Sequence, residues 1–108
     1  MDDQIPDELL KAYRSSIPEK LAQLKQLILA VKRQTGKDEL GALRFAVHKL
    51  AGNSGVYGYM EVSKLCKQIE AELDTILQNL PGTAPDPKWL EKLDPFYQQI
   101  EKGFSHGG

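Results

Sequence analysis

The stretch His48-Lys49-Leu50-Ala51-Gly52-Asn53-Ser54-Gly55-Val56-Tyr57-Gly58 carries a helical pattern straight into a run of small residues. With about 100° of rotation per residue, Leu40, Leu43, Val47, Leu50 and Ser54 fall on one side of a helix, and that side is assigned to the core. On the same wheel His48 lies roughly 120° from the centre of the core side. Its imidazole is therefore expected at the edge of the core or in solvent, in a sector shared with Gly41, Arg44, Phe45, Gly52 and Gly55. Each interior glycine costs a helix up to about 1 kcal/mol relative to alanine. Two explanations fit such a strip: clearance beside the imidazole, or close approach of a neighbouring helix.

Outward from this stretch the chain reads as helices separated by breakers. Pro6, Asp7 and Glu8 open a short first helix over residues 6 to 14, with Leu9, Leu10 and Tyr13 at helical spacing. Ser16-Ile17-Pro18-Glu19 has the form of a capping box with a first-turn proline, so a second helix is expected to start there. Leu21, Leu24, Ile28 and Val31 give it one buried stripe, and Gly36 ends it near residue 35. Asp38 is the expected N-cap of the helix that carries His48, over roughly 39 to 55.

After Gly58 the longest helix is predicted, running to about Leu80, with Val62, Leu65, Cys66, Ile69, Leu73, Ile76, Leu77 and Leu80 on one face. Pro81-Gly82-Thr83-Ala84-Pro85 reads as a loop, and Asp86-Pro87 restarts a helix whose apolar face is Trp89, Leu90, Leu93, Phe96, Tyr97 and Ile100. Asp94-Pro95 is expected to kink or divide this last helix, Gly103 to stop it, and residues 103–108 to form a flexible tail. No segment alternates with a strand period. Short connections favour antiparallel neighbours, so the chain is read as a single all-α domain: an up-down four-helix bundle, about residues 7–102, with a short additional N-terminal helix.

Composition removes several function classes. Among 108 residues, 14 Lys and Arg against 15 Asp and Glu leave a net charge of −1, and no dense basic cluster is available to follow a nucleic-acid backbone. No apolar run approaches the roughly 20 residues of a membrane span, and Met1-Asp2-Asp3 is unlike a signal peptide. Met1 is read as the start of a freestanding protein, and the one cysteine, Cys66, as a buried core residue in a reducing cytoplasm. Two histidines without an accompanying Glu-x-x-His pair, and a single cysteine, make a bound metal unexpected. Ser54 lies off the face of His48, so a serine nucleophile with a histidine base is unsupported, and no glycine-rich phosphate loop is present. What remains is His48, a side chain type that keeps a nucleophilic nitrogen near neutral pH.

The pattern His48-x-Leu50-Ala51-Gly52-x-Ser54-Gly55-x-x-Gly58 resembles the signature of histidine-containing phosphotransfer domains of two-component phosphorelays, H-x-L-K-G-x-S-x-x-x-G. It is followed, as in that family, by a leucine- and cysteine-bearing helix reaching an acidic residue, here Leu65-Cys66-Lys67-Gln68-Ile69-Glu70. The resemblance implies a four-helix bundle in which His48 is the phosphoacceptor, taking a phosphoryl group from a receiver-domain aspartyl phosphate or a kinase and passing it to another receiver aspartate. It implies a phosphocarrier without a kinase domain, with no cofactor of its own and Mg²⁺ on the partner. The partners implied are response-regulator receiver domains and a hybrid sensor histidine kinase, met by a cytoplasmic monomer.

Gly52 would then give room for the phosphorylated ring, and Gly55 would extend the clearance. The family's basic residue three after the histidine is Ala51 here, leaving Lys49 and Arg44 as the two candidate cations for the phosphoryl group. Phe45 has two readings, a docking surface or an aromatic at the edge of the core. Trp89, Phe96 and Tyr97 are assigned to the core. The rival functional reading is a non-catalytic helical adaptor that docks a signalling partner through the His48 face.

Overall fold

In a computed structural model, which describes residues 5–106, the chain forms α1 (Asp7–Arg33), α2 (Lys37–Val56), α3 (Met60–Asn79), the short α4 (Pro87–Glu91) and α5 (Leu93–His106). Pairings along the seams give the topology. Arg44, His48 and Ala51 of α2 meet Asp74, Glu70 and Ser63 of α3, so residue number falls on one helix as it rises on the other. Glu72 of α3 receives Trp89 and Lys92, while Val62 lies against Gly103, and these two helices are likewise antiparallel. Lys32 near the end of α1 pairs with Asp94 at the start of α5, and Tyr13 near its beginning meets Phe104. The result is an up-down-up-down ring of α1, α2, α3 and α5, with α4 leading into the fourth member.

The core follows the expected stripes. Leu24, Ile28 and Val31 of α1, Leu40, Leu43, Val47, Leu50 and Ser54 of α2, and Val62, Cys66, Ile69 and Leu73 of α3 are buried. Trp89, Leu93, Phe96, Ile100 and Phe104 close the ring, while Leu21, Leu65, Ile76, Leu77, Leu80, Leu90 and Tyr97 of the expected stripes pack against it only partly buried. At the end of α2, Tyr59 N–H donates to the Ser54 carbonyl and Gly58 N–H to the Gly55 carbonyl, the two bonds of a Schellman ending. Gly58 takes the positive φ of 90° that this ending requires, a conformation that costs glycine little.

Four boundaries differ from the sequence expectation. Residues 7–14 are not a separate short helix: α1 runs unbroken through Pro18 for 27 residues and is the longest element, ahead of α3. Ser16, rather than capping a new helix, turns its hydroxyl back to donate to the Tyr13 carbonyl. An interior proline costs a helix about 3 kcal/mol, and tertiary contacts on both sides offset it. Tyr13 before the proline stacks on Tyr57 with ring centroids 4.3 Å apart, and Leu24 after it enters the core. Asp38 is not an N-cap; α2 starts at Lys37 with Gly36 at that position, and Asp38 and Glu39 occupy the first turn, where the helix dipole favours acids.

The break in the last helix falls at Lys92, upstream of Asp94-Pro95. Pro95 thereby sits in the first turn of α5, where its missing N–H leaves no bond unmade. Asp86 and Pro87 behave as read, the Asp86 carboxylate accepting from Lys88 N–H at 2.9 Å. Gly103 does not stop α5, which continues to His106 and buries Phe104; residues 107 and 108 of the expected tail lie outside the described residues.

Candidate functional site

His48 projects from the middle of α2, with 57% of its side chain exposed. Its Nδ1 lies 2.7 Å from Oε2 of Glu70 on α3, a carboxylate only 17% exposed. A carboxylate has no proton to give near neutrality, so Nδ1–H is the donor and the tautomer is fixed. The lone pair is then on Nε2. Glu70 is shared: Arg44, one turn before His48, places a guanidinium nitrogen 3.2 Å from the same Oε2 and its Nε 2.7 Å from Oδ1 of Asp74. Its hydrogen bond to Asp74 is the largest influence on the guanidinium and raises its affinity for its proton; desolvation opposes this next, and the charges of Asp74 and Glu70 add smaller increases. The chain of contacts is Asp74–Arg44–Glu70–His48, all on the α2–α3 seam.

The two candidate cations thus separate. Arg44 is engaged by two carboxylates. Lys49 points to the other flank, its ammonium 5.0 Å from the Phe45 ring centroid, where both line the groove between α1 and α2. Phe45 is 58% exposed and lies at the rim of that groove, outside the core. Ala51 is 4% exposed, with the Ser63 hydroxyl donating to its carbonyl at 2.7 Å. A lysine there would have to lead its ammonium out of a helix–helix seam.

The glycines divide as well. A Cβ built on Gly52 would meet nothing within 4 Å. Helical side chains lean toward the N-terminus, so any side chain at 52 would lie over the turn that carries His48. Gly55 faces α3, where a Cβ would come 3.2 Å from the Ser63 hydroxyl; it serves helix packing and is not part of the clearance. Open space lies at Gly52 and close helix approach at Gly55, at different positions of the same stretch.

Sequence reasoning placed Glu70 in the family pattern and Tyr13 on a helix face without giving either a partner, and gave no part to Asp74 or to the Asn53 side chain. The pairings of Glu70 and Asp74 were within reach: in an antiparallel hairpin centred on Tyr59, reflection of 48 gives 70 and of 44 gives 74, since both pairs sum to 118. No comparable signal exists for the Tyr13 hydroxyl, which donates to the Asn53 side chain across 40 positions and fastens α1 to the residue after Gly52. Among the described residues no three His, Cys, Asp or Glu side chains group as a metal site needs, and no helix is long and apolar enough to cross a membrane.

Fold and site together define an all-helical bundle that presents one carboxylate-held imidazole on an open face. A family model described as the Hpt domain matches residues 8–103, nearly the whole chain, and the protein belongs to that family. Its role is accordingly phosphotransfer in two-component signalling, and Hpt domains interact with the receiver domains of response regulators. No curated protein and no solved structure gives a significant match to the chain.

Proposed function

We propose that the protein is a phosphorelay intermediate in which His48 Nε2 takes a phosphoryl group from a receiver aspartyl phosphate, or from a kinase, and delivers it to another receiver aspartate. The observation that carries this reading is the Nδ1 contact to Glu70, which leaves Nε2 as the free nucleophile beside the open space at Gly52. In the forward step the Nε2 lone pair forms the P–N bond as the P–O bond to the aspartate breaks, and the carboxylate leaves with that electron pair. The positive charge that develops on the ring is shared with Glu70 through Nδ1–H. Most of the catalysis of phosphoryl transfer is positioning and charge neutralisation, and Mg²⁺ on the receiver would supply what this chain does not.

Lys49 is the cation we assign to the phosphoryl group, since Arg44 is already held by two carboxylates. Phe45 beside it would offer the receiver an apolar contact. The protein would act as a cytoplasmic monomer. Incubation with a phosphorylated receiver should yield an acid-labile, alkali-stable adduct, absent in His48→Gln. Equal labelling of that variant, or no label on the wild type, would end the proposal; unchanged partner binding and signalling with His48→Ala would favour the adaptor reading.

A further inference from the structure

Arg44 occupies a place that a phosphate-binding cation would not choose. Its guanidinium stands on the α3 side of α2, with Nε on Asp74 at 2.7 Å and a terminal nitrogen on Glu70 at 3.2 Å, while the open space is at Gly52 on the far side of His48. The carboxylate oxygen it touches is the one that accepts from His48 Nδ1. Two N–H donors, one on the Arg44 guanidinium and one on the His48 ring, therefore share one acceptor. We propose that Arg44 is a positioning residue that sets the lifetime of phosphorylated His48, by drawing the Glu70 charge away from the ring. The inference rests on Nε2 being the phosphoacceptor.

The chemistry is that of the leaving group. When a phosphoryl group occupies Nε2 and Nδ1 keeps its proton, attack by water forms a P–O bond, the P–N pair returns to Nε2, and neutral imidazole departs while dihydrogen phosphate is released. If Nδ1 has lost its proton, the departing group is an imidazolide anion and the bond is slow to break. An unshared carboxylate at Nδ1 favours the protonated, reactive ring; one shared with a guanidinium favours it less. The Glu70–His48 contact at 2.7 Å is shorter than the Arg44–Glu70 contact at 3.2 Å. Removal of the guanidinium should thus alter the charge at Nδ1 more than the placement of the carboxylate.

The other charges near the ring do not cancel this effect. On α3, Asp74 acts through Arg44, and Lys67 lies one turn before Glu70 in an exposed position. On α2, Lys49 lies beside Phe45 and is assigned to the phosphoryl oxygens rather than to Glu70, so it is common to all the variants compared; from α1, Lys20 borders the same groove.

The test uses the full chain carrying His106→Gln, so that His48 is the one histidine, phosphorylated chemically with phosphoramidate. Loss of label is followed from pH 5 to 10. Arg44→Gln should move the alkaline fall in hydrolysis rate upward by about half a pH unit, which is about threefold faster loss above the inflection. Asp74→Asn, which leaves Arg44 wholly to Glu70, should move it downward. In a Glu70→Gln background neither change should matter. Circular dichroism verifies the fold of each variant. Superimposed profiles for wild type and Arg44→Gln, or a shift that survives Glu70→Gln, would overturn the inference alone. Absence of any label on His48 would overturn the phosphoacceptor reading beneath it.

Discussion

At position 52 the proposed role falls to the absence of a side chain. A Cβ there touches nothing, so a larger residue can be accommodated without disturbing the bundle, and a helix gains up to about 1 kcal/mol when glycine is replaced. Gly52→Gln should therefore raise or preserve the urea midpoint while slowing phosphoryl transfer, because the new side chain leans over His48. A normal transfer rate in a stably folded Gly52→Gln protein would refute the clearance argument. Glu70→Gln should act differently. An amide can still meet Nδ1 but offers no charge, so transfer to His48 should slow by about tenfold, the order of loss that a charge-assisted contact of 1.5 kcal/mol represents. Single-turnover labelling from a phosphorylated receiver measures it.

Between elements, two positions are informative. On α5, a Cβ at Gly103 would stand 2.7 Å from Cγ2 of Val62, a fully buried β-branched side chain with little rotamer freedom. Gly103→Ala should consequently destabilise the bundle by about 1–3 kcal/mol, against the direction of helix propensity, and urea unfolding will show it. Pro18 is the opposite case: it is exposed and removes one backbone donor from α1. Pro18→Ala restores that bond and should stabilise the protein by about 1–3 kcal/mol, with unchanged transfer since His48 packs elsewhere.

For the molecule as a whole, burial of ionisable groups makes stability depend on alkaline pH. Desolvation, and secondarily the charge of Glu70, push the Cys66 thiol from 9.0 up to about 12. Burial also raises the Tyr13 phenol above its ordinary value, with Tyr59, Cys66 and Tyr57 adding to the shift. Above pH 9 the unfolded chain loses protons that the folded chain keeps. Stability must then fall as pH rises from about 9 toward 12, by up to roughly 1.4 kcal/mol per pH unit for one such group. Urea unfolding at pH 7, 9 and 10 should display this decline, and Cys66→Ala should make it shallower between pH 9 and 10 whatever its effect on stability at pH 7.

What the sequence determined is what neighbours a few residues apart can encode. The stripes Leu24–Ile28–Val31, Leu40–Leu43–Val47–Leu50 and Val62–Cys66–Ile69–Leu73 are helical repeats, and their burial follows from their spacing alone. The exposure of His48 came from the same wheel, and the His48-to-Gly58 pattern carried the family. Where local rules compete with packing, the tertiary structure decided. Ser16-Ile17-Pro18-Glu19 is a good helix start in isolation, yet Tyr13, stacked on Tyr57 and bonded to Asn53, holds both halves of α1 in one element. The partner of His48 Nδ1 was decided there too: Glu70 reaches His48, and Arg44 reaches Glu70, because the turn at Gly58 sets the register of α2 on α3, and reflection about that turn gives the pairing only once the centre of the hairpin is known.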